Sequence, residues 1–248
     1  MLPEIPDCRW DIKINSNGNN NNKKTITMIK LILAILMAFI STFANAQLRG
    51  SGKTITKTYD YQNFDKLSFQ DLDGSIEVEV GKEYSISVTI DDNLFPLLSF
   101  EENKVKKELK LFFKGNANNK KYIEDTKIRI KITTPRLVQV NHSGNSALVI
   151  TNLIGTNFKL DNSGNGTTKI SGSIDSLEVM NRGNGNTKAE QLLTKNAVIN
   201  CSGNGNVYVT VSTNLTAKAR GNCSVFNYGK AQFDAQSSKS GNARLLNQ

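Results

Sequence analysis

Few residues in this chain are equipped for chemistry, and they are scattered. The single histidine is His142, and a lone imidazole with no acid or nucleophile beside it makes a weak general base. Cysteines stand at 8, 201 and 223, which with one histidine is not the cluster a metal ion needs. The carboxylates of the second half, Asp161, Asp175, Glu178, Glu190 and Asp234, could serve a polysaccharide lyase or hydrolase, which needs two of them about 5–10 Å apart. Glycine-rich phrases suggest phosphate binding instead. "GSGKT" at 50–54 imitates the end of a phosphate loop, but Gln47 stands where its first glycine belongs, and the strand-like "TITKTYDY" replaces the helix. "GNGNTK" at 183–188 lacks the third glycine and the helix of a dinucleotide fingerprint. A calcium roll needs aspartates in its turns, and these turns carry asparagine.

The spacing of the glycine phrases shows them to be punctuation. Aligned on Gly144, Gly164, Gly183, Gly203, Gly221 and Gly241, they recur at intervals of 20, 19, 20, 18 and 20 residues. Asparagine follows each time, at Asn145, Asn165, Asn184, Asn204, Asn222 and Asn242. Fixed self-similarity at this period marks a solenoid. Apolar residues alternate on both flanks: Phe158 and Leu160, Leu177 and Val179, Ala197 and Ile199 before the glycine, Leu148 and Ile150, Val207 and Val209 after it. Each unit reads as strand, Gly-Asn turn, strand and second turn, with "SGSIDS" and "VSTN" as second turns. One unit cannot bury its apolar face, so the coils must stack about 4.8 Å apart. The predicted fold is all-β: a right-handed parallel β-helix, or β-solenoid, of about 20-residue coils. At the corner, Gly and Asn suit positive φ, and stacked Asn side chains can hydrogen-bond along the axis.

In that frame the carboxylates fall at −3, +11, +14, +7 and +13 from their glycines, and no two share a column on neighbouring coils. Asp175 and Glu178 could approach around one turn, where solvated side chains are the simpler reading. His142 belongs to the −2 column with Asn162, Asn181, Cys201, Ala219 and Lys239, a structural polar position near the corner. Cys201 at −2 and Cys223 at +2 fall on opposite sides of the corner, so two free thiols are expected. No catalytic residue, metal ligand or cofactor is assigned. One outward column stands apart. If +4 and +6 point inward, +5 points outward, and it reads Val149, Lys169, Lys188, Tyr208, Phe226, Leu246. Lys169, Lys188, Tyr208 and Phe226 form a basic-aromatic stripe suited to sugar rings or acidic polymers. A partner subunit or residues 54–135 could equally cover it. Alanine at Tyr208 and Phe226 is expected to abolish binding without harming the fold.

The residues ahead of the repeats divide in two. Residues 28–46, "MIKLILAILMAFISTFANA", have a lysine-bearing start, a short apolar run and the cleavage signal Ala44-x-Ala46 of a secretory signal peptide, too short in its apolar part to span a membrane. Met28 reads as the true start and 1–27 as an upstream extension. Gln47 rather than Cys follows the cleavage site, which offers no lipid anchor. The whole chain carries +9, and removing 1–46 leaves about +7. That basic balance on an exported chain suits anionic glycans or head groups, and nothing suggests nucleic acid. Residues 47–136 carry further alternating runs, among them "SIEVEV" (75–80), "SISVTI" (85–90), "ELKLFF" (108–113) and "KIRIKI" (127–132). They form an antiparallel or irregular β region, either a separate sheet or an irregular start that caps the solenoid of 137–248.

Over roughly 55–245 the chain resembles the head GIN domain family of putative autotransporter adhesins. The likeness rests on "FDKLSFQDLDGSIEVEVGKEYSISVTIDDNL" (64–94), "IRIKITTPRLVQVNHSGN" (128–145) and the SGNG repeats. It implies an all-β surface protein with an adhesive role and no established catalytic residues. The combined expectation is a non-enzymatic exported protein, in the periplasm, on the outer surface or secreted. It would act as an adhesion module on a glycan, an acidic polymer or another envelope protein. The alternatives are a structural protein that self-associates through its solenoid edges into homo-oligomers, and a polysaccharide-active β-helix enzyme.

Overall fold

The structure is a computed structural model that describes residues 27, 28, 30, 48–116 and 123–248. The expected extension 1–27 and signal peptide 28–46 therefore lie, apart from Thr27, Met28 and Lys30, outside the described residues, as does Cys8. Residues 47–248 form one compact unit. It opens with β1 (Leu48–Arg49), β2 (Thr54–Tyr59), β3 (Lys66–Leu72), β4 (Ser75–Val80) and β5 (Ser85–Asp91). After a 3₁₀ turn at Phe95–Leu97 come β6 (Leu98–Asn103), β7 (Glu108–Phe113), β8 (Ile123–Glu124) and β9 (Arg129–Thr134). The repeats supply β10 (Gln139–Gly144), β11 (Ala147–Asn162), β12 (Thr168–Asn181), β13 (Thr187–Gly203) and β14 (Val207–Gly221). The last strands are β15 (Ser224–Asn227), β16 (Ser238–Gly241) and β17 (Arg244–Asn247).

The repeats stack as parallel coils of about 20 residues and make a β-solenoid of about five turns. Alternation builds the core. Phe158 and Leu160, Leu177 and Val179, Ala197 and Ile199, and Leu215 and Ala217 are buried from one wall, and Leu148, Ile150, Val207 and Val209 from the other. Each buried aliphatic contributes roughly 1.5–3 kcal/mol, which one isolated coil could not collect. The second turns do not interrupt the strands. β11 to β14 are 14–17 residues long and run through them, with register shifts such as the one between Ile150 and Leu153 marking the bend. Hydrogen bonds to the neighbouring coil continue across it, so the bend is a bulge within a strand.

The 47–136 segment joins the same stack out of chain order. β3 pairs in parallel with β10 on one wall, and β4 with β11 on the other, so residues 66–80 form the coil beneath the first repeat. β7 and β9 lie beneath that, parallel to β3 and β4. Antiparallel strands close this end: β6 on β7, β5 on β9 and β2 on β5. One hydrophobic core runs from Phe64 to Ala243. "KIRIKI", adjacent in sequence to the repeats, is therefore separated from them in space by "SIEVEV".

Candidate functional site

The Gly-Asn corners form a ladder. Asn165 Nδ2 donates to Asn145 Oδ1 at 3.0 Å, Asn184 to Asn165 at 2.9 Å, Asn204 to Asn184 at 2.8 Å, Asn222 to Asn204 at 3.1 Å and Asn242 to Asn222 at 3.0 Å. The asparagines are exposed. Positive φ accounts for most of the corner glycines, and a second reason accounts for the rest. Gly144, Gly203, Gly221 and Gly241 have it, but Gly164, Gly183 and all the ladder asparagines do not. A Cβ on Gly164 would lie 2.1 Å from Gly144 O, one on Gly183 2.0 Å from Gly164 O, and one on Gly185 2.0 Å from Gly166 O. Contact between successive coils excludes a side chain here.

Inside the corner lies a second polar column. His142 is buried, with Nε2 2.9 Å from Ser146 Oγ and Nδ1 3.1 Å from Thr168 Oγ1 and 3.2 Å from Asn162 Oδ1. Asn162 Nδ2 donates to Asn181 Oδ1 at 2.8 Å, and Asn181 donates onward to the carbonyls of Gly185 and Gly205. Burial lowers the His142 pKa from 6.5 to about 4, against the opposing pull of hydrogen bonds with Asn162 and Ser146. The imidazole is a neutral strut at physiological pH.

Cys201 and Cys223 are joined in a disulfide, with Cα atoms 6.2 Å apart, so the expectation of free thiols is corrected. The −2 and +2 columns are not on opposite sides. Both point into the corner, as His142 and Ser146 show within one coil. Gly205 at +2 has no side chain, so Cys201 can reach the Cys223 of the next coil.

Two of the candidate carboxylates and the phosphate-loop mimic are engaged within the chain. Asp175 pairs with Lys195 at 2.7 Å and Glu178 with Lys159 at 2.7 Å, which divides the two carboxylates between separate ion pairs. The "GSGK" loop holds the chain's own anion. Asp91, fully buried, accepts from Gly52 N at 2.8 Å and Lys127 N at 2.7 Å, and a Cβ on Gly50 would collide with its Oδ2 at 2.7 Å.

The basic-aromatic stripe is one continuous column. Val149 pairs with Lys169, Lys169 with Lys188, Lys188 with Tyr208, Tyr208 with Phe226 and Phe226 with Leu246. Below Val149 the column continues through Glu77 to Lys131, so the N-terminal strands extend the stripe and do not cover it. Lys131 is paired with Glu77 at 3.5 Å. Among the described residues no carboxylate pairs with Lys169 or Lys188. These lysines border a depression of about 270 Å³ that also exposes Thr151, Ser171, Glu190 and Gln191. The rings of Tyr208 and Phe226 lie parallel, 4.9 Å apart at 7°. That is offset stacking along the axis, in which each ring partly covers its neighbour's face. The rings therefore stabilise the sheet.

A family model described as putative auto-transporter adhesin, head GIN domain, matches residues 63–231. The chain belongs to that family. No curated protein sequence matches it. Among solved structures, a putative adhesin from Bacteroides fragilis is 20% identical, covers 81% of this chain and 100% of its own, and superposes with a TM-score of 0.59. A putative adhesin from Parabacteroides merdae (18%, 82% and 99%, 0.46) and a putative lipid binding protein from Parabacteroides distasonis (22%, 82% and 99%, 0.44) are also similar. The first of these shows a common fold. In this head GIN domain protein the family match runs from the N-terminal coils to the loop after β15, and so includes all four residues of the stripe. Among the described residues no helix is long and apolar enough to cross a membrane.

Proposed function

We propose that this head GIN domain protein is an exported, non-catalytic adhesion module of the cell envelope that holds an acidic polymer along the stripe. One observation carries this reading: Lys169 and Lys188 stand directly opposite each other on adjacent coils without an acid partner among the described residues. Like charges in direct register cost a few tenths of a kcal/mol, and an anion bridging them relieves that cost. The hydroxyls of Thr151 and Ser171 beside them suit a carboxylate or sulfate on a sugar. A leader-like segment at 28–46 and a basic balance favour export and an anionic partner. The buried neutral His142 and the ion-paired Asp175 and Glu178 favour binding without turnover.

The test is calorimetric titration with heparin oligosaccharides and polygalacturonate. Replacing Lys169 and Lys188 together by Ala should weaken retention at least tenfold and flatten its salt dependence, with an unchanged melting temperature. Equal affinity in the double variant would reject the stripe. A second reading, self-association, is favoured by β16 and β17, each of which pairs along one side among the described residues. It predicts a sedimentation coefficient that rises with concentration.

A further inference from the structure

On the wall opposite the stripe, the outer surface is concave. A groove of about 440 Å³ crosses the N-terminal coils, and its floor is one axial column. Glu101 on β6 pairs with Lys110 on β7, Lys110 with Ser68 on β3, Ser68 with Asn141 on β10, and Asn141 with Asp161 on β11. Five strands thus present an acid, a cation, a hydroxyl, an amide and an acid in line. At the usual strand separation the column is about 19 Å long. Because β3 is inserted between β7 and β10, residues remote in sequence meet on this floor.

The chemistry of the groove is unlike that of the stripe. Its carboxylates Glu101, Glu108 and Asp161 are matched in number by Lys106, Lys110 and Arg182, so it has no net charge to recruit a polyanion. The groups are held in place. Arg182 Nη2 donates to Asp161 Oδ2 at 2.5 Å, Asn141 Nδ2 to Glu108 Oε1 at 3.3 Å, and Lys110 lies 4.8 Å over the Phe112 ring. A second groove of about 350 Å³ shares Asn103 and Glu108 with the first and includes Tyr61, whose ring stacks on Phe100 at 5.3 Å and 18°. One end of the joined surface is therefore aromatic, and the rest alternates donors and acceptors.

We infer that this joined groove is a binding site for an uncharged linear oligosaccharide lying along the solenoid axis. A sugar chain offers hydroxyls on both edges at intervals similar to the coil spacing, which matches fixed amides, carboxylates and ammonium groups one coil apart. A peptide would instead seek a sheet edge and apolar side-chain pockets, and this groove runs across the strands with a polar floor. Planar polar side chains beside an aromatic platform are the combination that recognises a pyranose, with C–H bonds on the ring and hydroxyls at its rim. The inference is independent of the stripe, which lies on the other wall and calls for a charged ligand.

Titration calorimetry of the full chain with cellohexaose, xylohexaose and mannohexaose tests it. Saturable binding of at least one is expected, weakened at least tenfold in both Asn141→Ala and Asp161→Asn and unchanged in the Lys169/Lys188 double alanine variant. Mass spectrometry of the recovered sugar should show it intact. Should either variant melt early, Gln70→Ala, which alters the same groove from β3, replaces it with the same expected loss. No saturable binding of any of the three sugars, unaltered affinity in the groove variants, or recovery of shortened sugar would each overturn the inference.

Discussion

At the scale of the residue, the corners separate two effects that the sequence presents together as Gly-Asn. Asn184 Nδ2 donates to Asn165 Oδ1 at an exposed rim, where water can replace the lost partner, so Asn184→Ala should cost about 1 kcal/mol. Gly185→Ala places a Cβ 2.0 Å from Gly166 O and cannot be relieved without parting the coils. It should cost about 3 kcal/mol or more, and paired urea melts of the two variants measure the difference. His142 gives a pH signature. Its folded pKa of about 4 lies below the ordinary 6.5, so the unfolded chain takes up the proton first. Stability is full above about pH 6.5 and falls as pH drops toward 4, by about 3 kcal/mol. Asp234, held below the usual carboxylate range chiefly by its hydrogen bond with Thr216, loses its contribution at lower pH and leaves this window clear. His142→Asn, which continues the Asn162–Asn181 column, should remove most of the slope between pH 6.5 and 4.

At the scale of the element, the disulfide fastens one coil to the next. Cys201 and Cys223 are 22 residues apart, and closing a loop of that size restricts the unfolded chain by about 3 kcal/mol. Reduction with dithiothreitol should lower the unfolding midpoint accordingly, and a Cys201→Ala/Cys223→Ala variant should lose the dependence on reductant. This element also shows how far sequence reading reaches. The twenty-residue period, the inward alternation of Leu160, Val179 and Ile199 and the outward line from Lys169 to Phe226 were legible because each follows from local spacing. The disulfide was not, because a position counted along the chain does not say that −2 and +2 fill the same corner from two coils. The positive φ expected of the corner holds at Gly144, Gly203, Gly221 and Gly241, whereas the contact that excludes a side chain at Gly183 and Gly164 exists only after stacking and is not written in local sequence.

At the scale of the whole molecule, pairing between distant segments decides what the surface offers. The alternation of "SIEVEV" and "KIRIKI" reveals two strands but not that residues 66–80 insert between 108–134 and the first repeat. The groove floor of Glu101, Lys110, Ser68, Asn141 and Asp161 depends on that insertion and could not be read in advance. The stripe could, because it lies within sequential repeats. One continuous core carries both faces, so a lesion such as Leu160→Ala, worth about 2–5 kcal/mol, should weaken polyanion and oligosaccharide binding together, while surface variants act on one alone. The measurement that bears most directly on the proposed adhesive function is a crystal structure of the chain grown with a sulfated heparin hexasaccharide. The expected result is sulfate density bridging the Lys169 and Lys188 ammonium groups on adjacent coils, with the asparagine ladder intact beside it. Density bound elsewhere, or coils whose register does not set these two lysines side by side, would contradict it.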